Sequence, residues 1–418
     1  MYVNFNNNKF RVIKMIDSGT FGSVYLVQGP INTYDAISDT SPTSDVSPTS
    51  DTSPTSDVSP TSDVLKTSPD KGMGANYYIM KNVVLSDKDK TDYIYNEIAT
   101  LEFFGMKWGN RSPFYELIDY QINFLNKGKT EFRMLLEYVN GHSLQRLMYS
   151  GLLSQEVIQI IFGQLLSQFQ LLHQYNIVHR DLKPNNILIE VGEMSQMIKV
   201  HLIDFGISCN RNKDFLYHYL ENEPAITISQ RCNARAVGTP YTMAPELFEL
   251  ISSADNRRLS FDVLKKCDVW SLGVILYLMV YQDNPFIGRS GYRVDHRVAL
   301  ESINKKLEEE PSIFGDVIKK MLNPNPHLRP SVDFLVMNYR SLFKLDQIVE
   351  PDEEGLTTPA SAPDTPLSVT ITSPLIGHLE SSKGSPVLSS RSGPSPLHIE
   401  DDEGLTEEDY LDTSDDED

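Results

Sequence analysis

Four residues have the types and spacing that chemistry would need: Asp181, Lys183, Asn186 and Asp204. The first three fall in His179-Arg180-Asp181-Leu182-Lys183-Pro184-Asn185-Asn186, and the fourth opens Asp204-Phe205-Gly206. The first run offers a carboxylate, then a cation two residues on and an amide five residues on. Pro184 breaks any helix, so these groups sit on a turn. Gly206 loosens a second turn beside Asp204. Between the two turns, Ile187-Leu188-Ile189 and Ile198-Lys199-Val200-His201-Leu202-Ile203 read as two short strands. A strand pair that brings Asp181, Asn186 and Asp204 together makes an oxygen-rich site suited to a hard cation such as Mg²⁺ with phosphates.

Other elements must position these groups. Residues 9–28 alternate apolar and polar side chains on both sides of Ser18-Gly19-Thr20-Phe21-Gly22, which reads as a hairpin. Tyr77–Val84 reads as a strand carrying Lys81. From Asp92 to Phe104 the spacing turns helical, with Ile94, Ile98, Leu101 and Phe104 on one face and Glu97 in the same helix. Strands follow around Leu117–Phe124 and Phe132–Leu136. Residues 154–175 form a long helix with Val157, Ile160, Ile161, Leu165, Leu166, Phe169 and Leu172, apolar enough to be buried.

Taken in order, these stretches resemble the protein-kinase superfamily, above all its His-Arg-Asp-x-x-x-x-Asn catalytic loop and its Asp-Phe-Gly. Tyr78-Ile79-Met80-Lys81 resembles the strand-three lysine motif, and Glu97 matches that lysine's partner. Glu137-Tyr138-Val139-Asn140-Gly141 resembles the hinge, with Leu136 in the gatekeeper place. Gly238–Glu246 resembles the substrate segment ending in Ala-Pro-Glu, and Arg329 resembles the arginine that pairs with Glu246. Asp268-Val269-Trp270 resembles the start of the central helix of the large lobe. Two departures stand out: Asp17 replaces the first glycine of Gly-x-Gly-x-x-Gly, and Ile79 replaces the usual alanine.

The resemblance implies an α+β, two-lobed fold with a small β-rich N-lobe and a larger helical C-lobe. The domain would run over residues 9–345, with the N-lobe about 9–137 and the C-lobe about 140–345. It implies an ATP- and Mg²⁺-dependent serine/threonine protein kinase acting on Ser/Thr acceptors in proteins. In that reading Lys81 holds the α- and β-phosphates and Glu97 holds Lys81. Asn186 and Asp204 ligate the metal, Asp181 accepts the hydroxyl proton, and Lys183 neutralises the transferring group. The nucleotide would be bound by Ile16, Asp17, Ser18, Gly19, Thr20, Phe21, Gly22, Ser23, Val24, Ile79, Lys81, Glu137, Val139 and Leu188. Lys183 and Thr239 favour serine/threonine over tyrosine. The rival readings are a pseudokinase scaffold, a small-molecule phosphotransferase and a pure interaction module. The intact catalytic set argues against the first, and the Gly238–Glu246 segment against the second.

Charge separates the chain into a body and two biased segments. Of the net charge of −20, residues 350–418 carry −16 and residues 38–64 carry −5, so the rest is near neutral. Nothing in this distribution suggests a nucleic-acid surface. Residues 38–64 repeat Ser-Pro-Thr-Ser-Asp-Val, and such a composition cannot bury enough apolar surface to offset ordering. We expect a disordered insert there and a disordered acidic tail over 346–418. Their Ser-Pro and Thr-Pro steps could recruit phospho-dependent partners. The asparagine-rich start and the repeat fit a divergent lineage, such as that of a large DNA virus. Three scattered cysteines suit a reducing compartment better than a disulfide framework. No signal peptide or membrane span is legible, so a soluble protein of the cytoplasm or nucleus is expected.

Arg180 in many relatives grips a phosphate on the activation loop. The corresponding acceptor position holds Arg235, between Ala234 and Ala236, and arginine cannot take a phosphate. Tyr217, Tyr219, Glu221, Glu223, Thr227 and Ser229 lie upstream. The usual phosphorylation switch is therefore not expected. Deleting residues 38–64 or 350–418 should leave the folded body and transfer to a short peptide intact, as melting curves and initial rates would show. An unfolded deletion protein would contradict the disorder expectation.

Overall fold

The structure, a computed structural model, describes residues 1–19, 22–30, 76–86, 88–109, 112–151, 153–191, 198–211, 237–252, 259–288, 291–347 and 371–372. The repeat, nearly all of the acidic tail, Arg235 and its neighbours, and the hydroxyl and acidic residues from Tyr217 to Ser229 lie outside these. The chain divides into two compact units. One holds Met1–Asp87, Leu117–Asn140 and Ser361–Ser373, and the other holds Lys88–Glu116, Gly141–Ala360 and Pro374–Asp418.

The first unit is a sheet. Strands β1 (Tyr2–Phe5), β2 (Asn8–Gly19), β3 (Gly22–Gln28), β4 (Tyr77–Leu85), β5 (Leu117–Phe124) and β6 (Thr130–Glu137) run in the order β1-β2-β3-β4-β6-β5, all antiparallel. A two-residue strand, Ile371–Thr372, adds in parallel to the outer edge of β5, within the stretch expected to be disordered. Strand β1 was not legible from the alternation. Asn6 and Asn7 make its turn with φ of 42° and 65°, a conformation asparagine tolerates.

The pleat separates two faces. Tyr25, Val27, Tyr78, Met80 and Leu135 pack with Phe5 and Phe10 as an apolar cluster. Val24, Leu26, Ile79, Lys81, Met134 and Leu136 alternate with these along the strands and share the opposite face.

The second unit is mainly helical. Its helices are α1 (Lys88–Trp108), α2 (Leu144–Tyr149), α3 (Gln155–Gln174), α4 (Pro245–Ser252), α5 (Phe261–Tyr281), α6 (His296–Glu309), α7 (Gly315–Met321) and α8 (Val332–Asn338). Short strands β7 (Gly141–Ser143), β9 (Ile187–Val191) and β10 (Ile198–Leu202) form one small sheet. Strands β8 (Ile177–Val178) and β11 (Cys209–Asn210) form another.

Helix α1 belongs to this unit because aromatic side chains tie it there. Phe104 lies 4.3 Å from Phe114 and 5.4 Å from Trp108 between ring centroids, and Trp108 meets Tyr175 edge-on at 5.4 Å. Such pairs add to the area term of burial. The four residues expected on one face of α1 are all buried. Helix α3 starts on Ser154, whose side chain accepts from Val157 N–H. Its core positions are Ile158, Ile161, Phe162, Leu165, Leu166, Phe169 and Leu172, while Val157 and Ile160 are only half-buried.

Helix α5 begins at Phe261, earlier than Asp268, and is the most deeply buried. A Cβ on its Gly273 would lie 2.9 Å from Met321 and Leu322 side chains, so glycine permits the close approach of α7. Cys267 is a buried free thiol.

Glu246 of α4 is locked by Arg329. The guanidinium makes two parallel bonds of 2.7 Å to the carboxylate and donates to the carbonyls of Asn323 and Lys266. It also lies over the Trp270 ring at 5.0 Å. Replacing Arg329 by Leu should leave Glu246 without this partner and cost about 3–5 kcal/mol in denaturant unfolding. Adding Glu246→Leu should recover part of that loss. A single variant as stable as the parent would show that the pair is dispensable.

Candidate active site

The catalytic turn is built by backbone constraint before any side chain acts. Pro184–Asn186 form a 3₁₀ turn closed by Asn186 N–H to Lys183 O at 3.0 Å. Ile203 N–H then donates to Asn186 O at 2.9 Å, which places Asp204 directly beside this turn. Strand β10 leads into Asp204 and is itself fixed by α3. Gln164 Nε2 donates to Ile198 O at 2.7 Å, its Oε1 accepts from Val200 N–H at 2.9 Å, and Gln168 Nε2 donates to Val200 O at 2.7 Å. Two glutamines of α3 thus satisfy the open edge of a strand.

Both oxygens of Asp181 are oriented. Thr239 Oγ1 donates to Oδ1 at 2.6 Å, and Asn186 Nδ2 donates to Oδ2 at 3.3 Å and to the Asp181 carbonyl at 3.0 Å. Lys183 Nζ lies 3.8 Å from Oδ2. With its amide nitrogen turned to Asp181, Asn186 presents its amide oxygen to the other side. That oxygen and the Asp204 carboxylate are the hard donors that Mg²⁺ prefers. Asp204 Oδ1 also accepts from Gly206 N–H at 3.3 Å. The donor set therefore fits a magnesium site of two side chains completed by phosphate and water. Among the described residues there is no group of three His, Cys, Asp or Glu that could hold a metal.

Asp204 and Arg180 both have φ of 67°, a strained value for residues with a Cβ. Asp268 of α5 holds the second of these. Its carboxylate accepts from the N–H groups of His179 and Arg180, each at 2.9 Å, and lies 3.0 Å from His173 Nε2. Arg180 Nε donates to Ile207 O at 2.8 Å. Gly238 has φ of 134°, and a Cβ there would lie 2.6 Å from Arg180 O, so only glycine lets the segment that leads into α4 approach this turn.

Glu97 is buried at 1% exposure in α1, and its Oε1 accepts from Tyr115 Oη at 3.1 Å. Leu188 is half-buried in β9, opposite His201. The second unit therefore brings Asp181, Lys183 and Asn186 into one cluster, with Asp204 beside it. Glu97 sits by Gly206, where a Cβ would meet Asp204 Oδ1 at 3.3 Å and Glu97 Oε2 at 4.0 Å.

In the first unit, Gly22 is the glycine that the hairpin requires. Its φ is 139°, and a Cβ would lie 2.1 Å from Asn82 O. Thr20 and Phe21 lie outside the described residues. Gly19 pairs with Gly22 and Ser18 with Ser23. Asp17 pairs with Val24, and Val24 pairs with Lys81, so these three lie in one row on one face. A bulge sets this. The register shifts between Met15 and Asp17, making Ile16 an extra residue. Without it Asp17 would share the face of Met15, because a one-residue slip turns side chains over. Ile79 lies on the Lys81 face, between Leu26 and Leu136, as expected from its place in the strand. Glu137 ends β6 opposite Tyr78, and Val139 is buried just beyond.

The sequence reading passed over Tyr115, Asn96 and the acceptor role of Asp268. A tyrosine after a helix and an asparagine within one carry no spacing signal.

Comparison with known proteins fits this geometry. A family model described as protein kinase domain matches residues 72–339, more than half of the chain. The match begins after the repeat, so the assignment of the β2–β3 hairpin rests on its register with β4. Similar curated proteins include Serine/threonine-protein kinase shk1/pak1 of Schizosaccharomyces pombe, 29% identical over 263 residues, 62% of this chain and 34% of that protein. CBL-interacting protein kinase 21 of Oryza sativa is 30% identical over 242 residues, 57% and 38% respectively. Ovarian-specific serine/threonine-protein kinase Lok of Drosophila melanogaster is 28% identical over 244 residues, 54% and 45%. The chain thus matches less than half the length of each of these relatives. Among the described residues no helix is long and apolar enough to cross a membrane. With the family model spanning the catalytic turn, the Asp204 turn and the Glu246–Arg329 lock, the chain belongs to the protein-kinase superfamily.

Proposed function

We propose that this chain is an active, ATP-dependent serine/threonine protein kinase. The observation that carries the proposal is the orientation of Asp181, whose two oxygens are separately held by Thr239 and Asn186. A carboxylate fixed at both oxygens is set to accept a hydroxyl proton and to aim the hydroxyl oxygen, which is most of what the protein must do in phosphoryl transfer. Lys183, beside Asp181, supplies positive charge for the transferring group. Lys81 serves the α- and β-phosphates, and by the family motif Glu97 is its carboxylate partner. Asn186 and Asp204 would hold magnesium, which neutralises charge on the phosphates when bound. Lys183 and Thr239 together favour Ser/Thr acceptors in protein substrates.

The test is transfer of labelled phosphate from ATP to generic protein substrates. Lys81→Met, Asp181→Asn and Asp204→Ala should each remove most of it, because single groups that stabilise transferring charge contribute on the order of 2.7–4 kcal/mol. Near-parental transfer by Asp204→Ala would refute its role as metal ligand.

One observation favours a weaker enzyme, in the limit a pseudokinase: Asp17 puts a carboxylate in the Lys81 row of the sheet, where the family has glycine. A negative charge on the sheet face that carries Lys81 opposes an anionic ligand. Asp17→Gly should lower KM for ATP by up to about fivefold, the upper end of what an exposed charge term of about 0.2–1 kcal/mol gives. Initial rates against ATP concentration measure this, and an unchanged or higher KM would contradict it.

A further inference from the structure

Helix α1 and the Asp204 turn are joined by side chains that no motif requires. Tyr115, on the connection after α1, donates its hydroxyl to Glu97 Oε1 at 3.1 Å in a buried setting. Its ring lies nearly parallel to that of Phe205, 13° apart with centroids at 6.4 Å, while Phe114 meets Phe205 edge-on at 5.4 Å. Asn96, next to Glu97 in α1, points its amide nitrogen at the backbone that follows Asp204. Nδ2 lies 2.7 Å from Ser208 O, 2.8 Å from Ser208 Oγ, 3.0 Å from Phe205 O and 3.4 Å from Gly206 O. One amide has two protons for these four acceptors, so they share it.

We propose that Tyr115 and Asn96 are positioning residues that lock the Glu97 turn of α1 onto the Asp204-Phe205-Gly206 backbone, so that the catalytic placement of Glu97 is built into the resting fold. The proposal rests on the kinase reading for its consequence in catalysis, though not for the lock itself. A carboxylate buried as deeply as Glu97 needs donors. Tyr115 supplies one to Oε1. The Tyr115 ring, stacked on Phe205, ties the same side chain to the turn that follows Asp204. Each of these contacts is made by an unmodified side chain or by backbone, so the lock needs no phosphate group.

The experiment compares the full chain with Tyr115→Phe, Asn96→Ala and Glu97→Gln, without nucleotide and in turnover. Tyr115→Phe keeps the ring on Phe205, so its melting point should move by only a few degrees. Its amide hydrogens from Asp204 to Ser208 should exchange severalfold faster, and kcat should fall about tenfold, the scale of a lost hydrogen bond to a charged group. Asn96→Ala should speed exchange over the same amides. In the Glu97→Gln background, Tyr115→Phe should cost little more, because both act through one interaction. Unchanged exchange from Asp204 to Ser208 in both Tyr115→Phe and Asn96→Ala, or a full additional loss of kcat in the double variant, would overturn the proposal. If exchange responds as expected while the parent protein transfers no phosphate, the lock stands and the kinase reading falls.

Discussion

The structure depends on one buried carboxylate. Asp268 is 1% exposed, and it accepts the two consecutive N–H groups of His179 and Arg180. Those bonds hold Arg180 at a φ of 67°, a conformation of order 1–3 kcal/mol above the ordinary regions for a residue with a Cβ. Without acceptors the two amides would be buried donors with nothing to bond, a cost comparable to the strain. The kinked backbone then delivers Asp181 to Thr239 and Asn186. It leaves Arg180 O so close to Gly238 that the segment leading into α4 must have glycine there. Helix α5 thus acts as the base plate, and its depth in the core explains why one acid within it can be held so firmly.

A second set of constraints converges on Asp204 from the other side. Strand β10 is held at its edge by Gln164 and Gln168, and the turn that follows is met by Asn96. Each contact is an ordinary hydrogen bond. Their joint effect is that the two carboxylates expected to act, Asp181 and Asp204, are placed by backbone geometry, with little left to side-chain rotamers. Preorganisation of that kind is the main contribution a protein makes to phosphoryl transfer.

The sequence was legible where chemistry dictates residue type and spacing. Asp181, Lys183, Asn186 and Asp204 could be read because a turn with a proline and two short strands leaves few ways to arrange them. Helices α1 and α3 were legible from apolar period, although Ile158 and Phe162 proved deeper than Val157 and Ile160. What escaped was anything set by register or by single contacts. The bulge at Ile16 decides which face Asp17 occupies, and no local pattern announces it. Asp268 read as part of a helix, since its partners lie about ninety residues earlier in the chain. Tyr115 was passed over, since a tyrosine just after a helix carries no spacing signal.

The central claim is that the oriented Asp181 delivers a serine or threonine hydroxyl to ATP. Phosphoamino-acid analysis after incubation of a mixed protein substrate with labelled ATP tests it most directly. The account predicts phosphoserine and phosphothreonine with the parent chain and neither with Asp181→Asn. Label found only on tyrosine, or equal label from the Asp181→Asn protein, would contradict it.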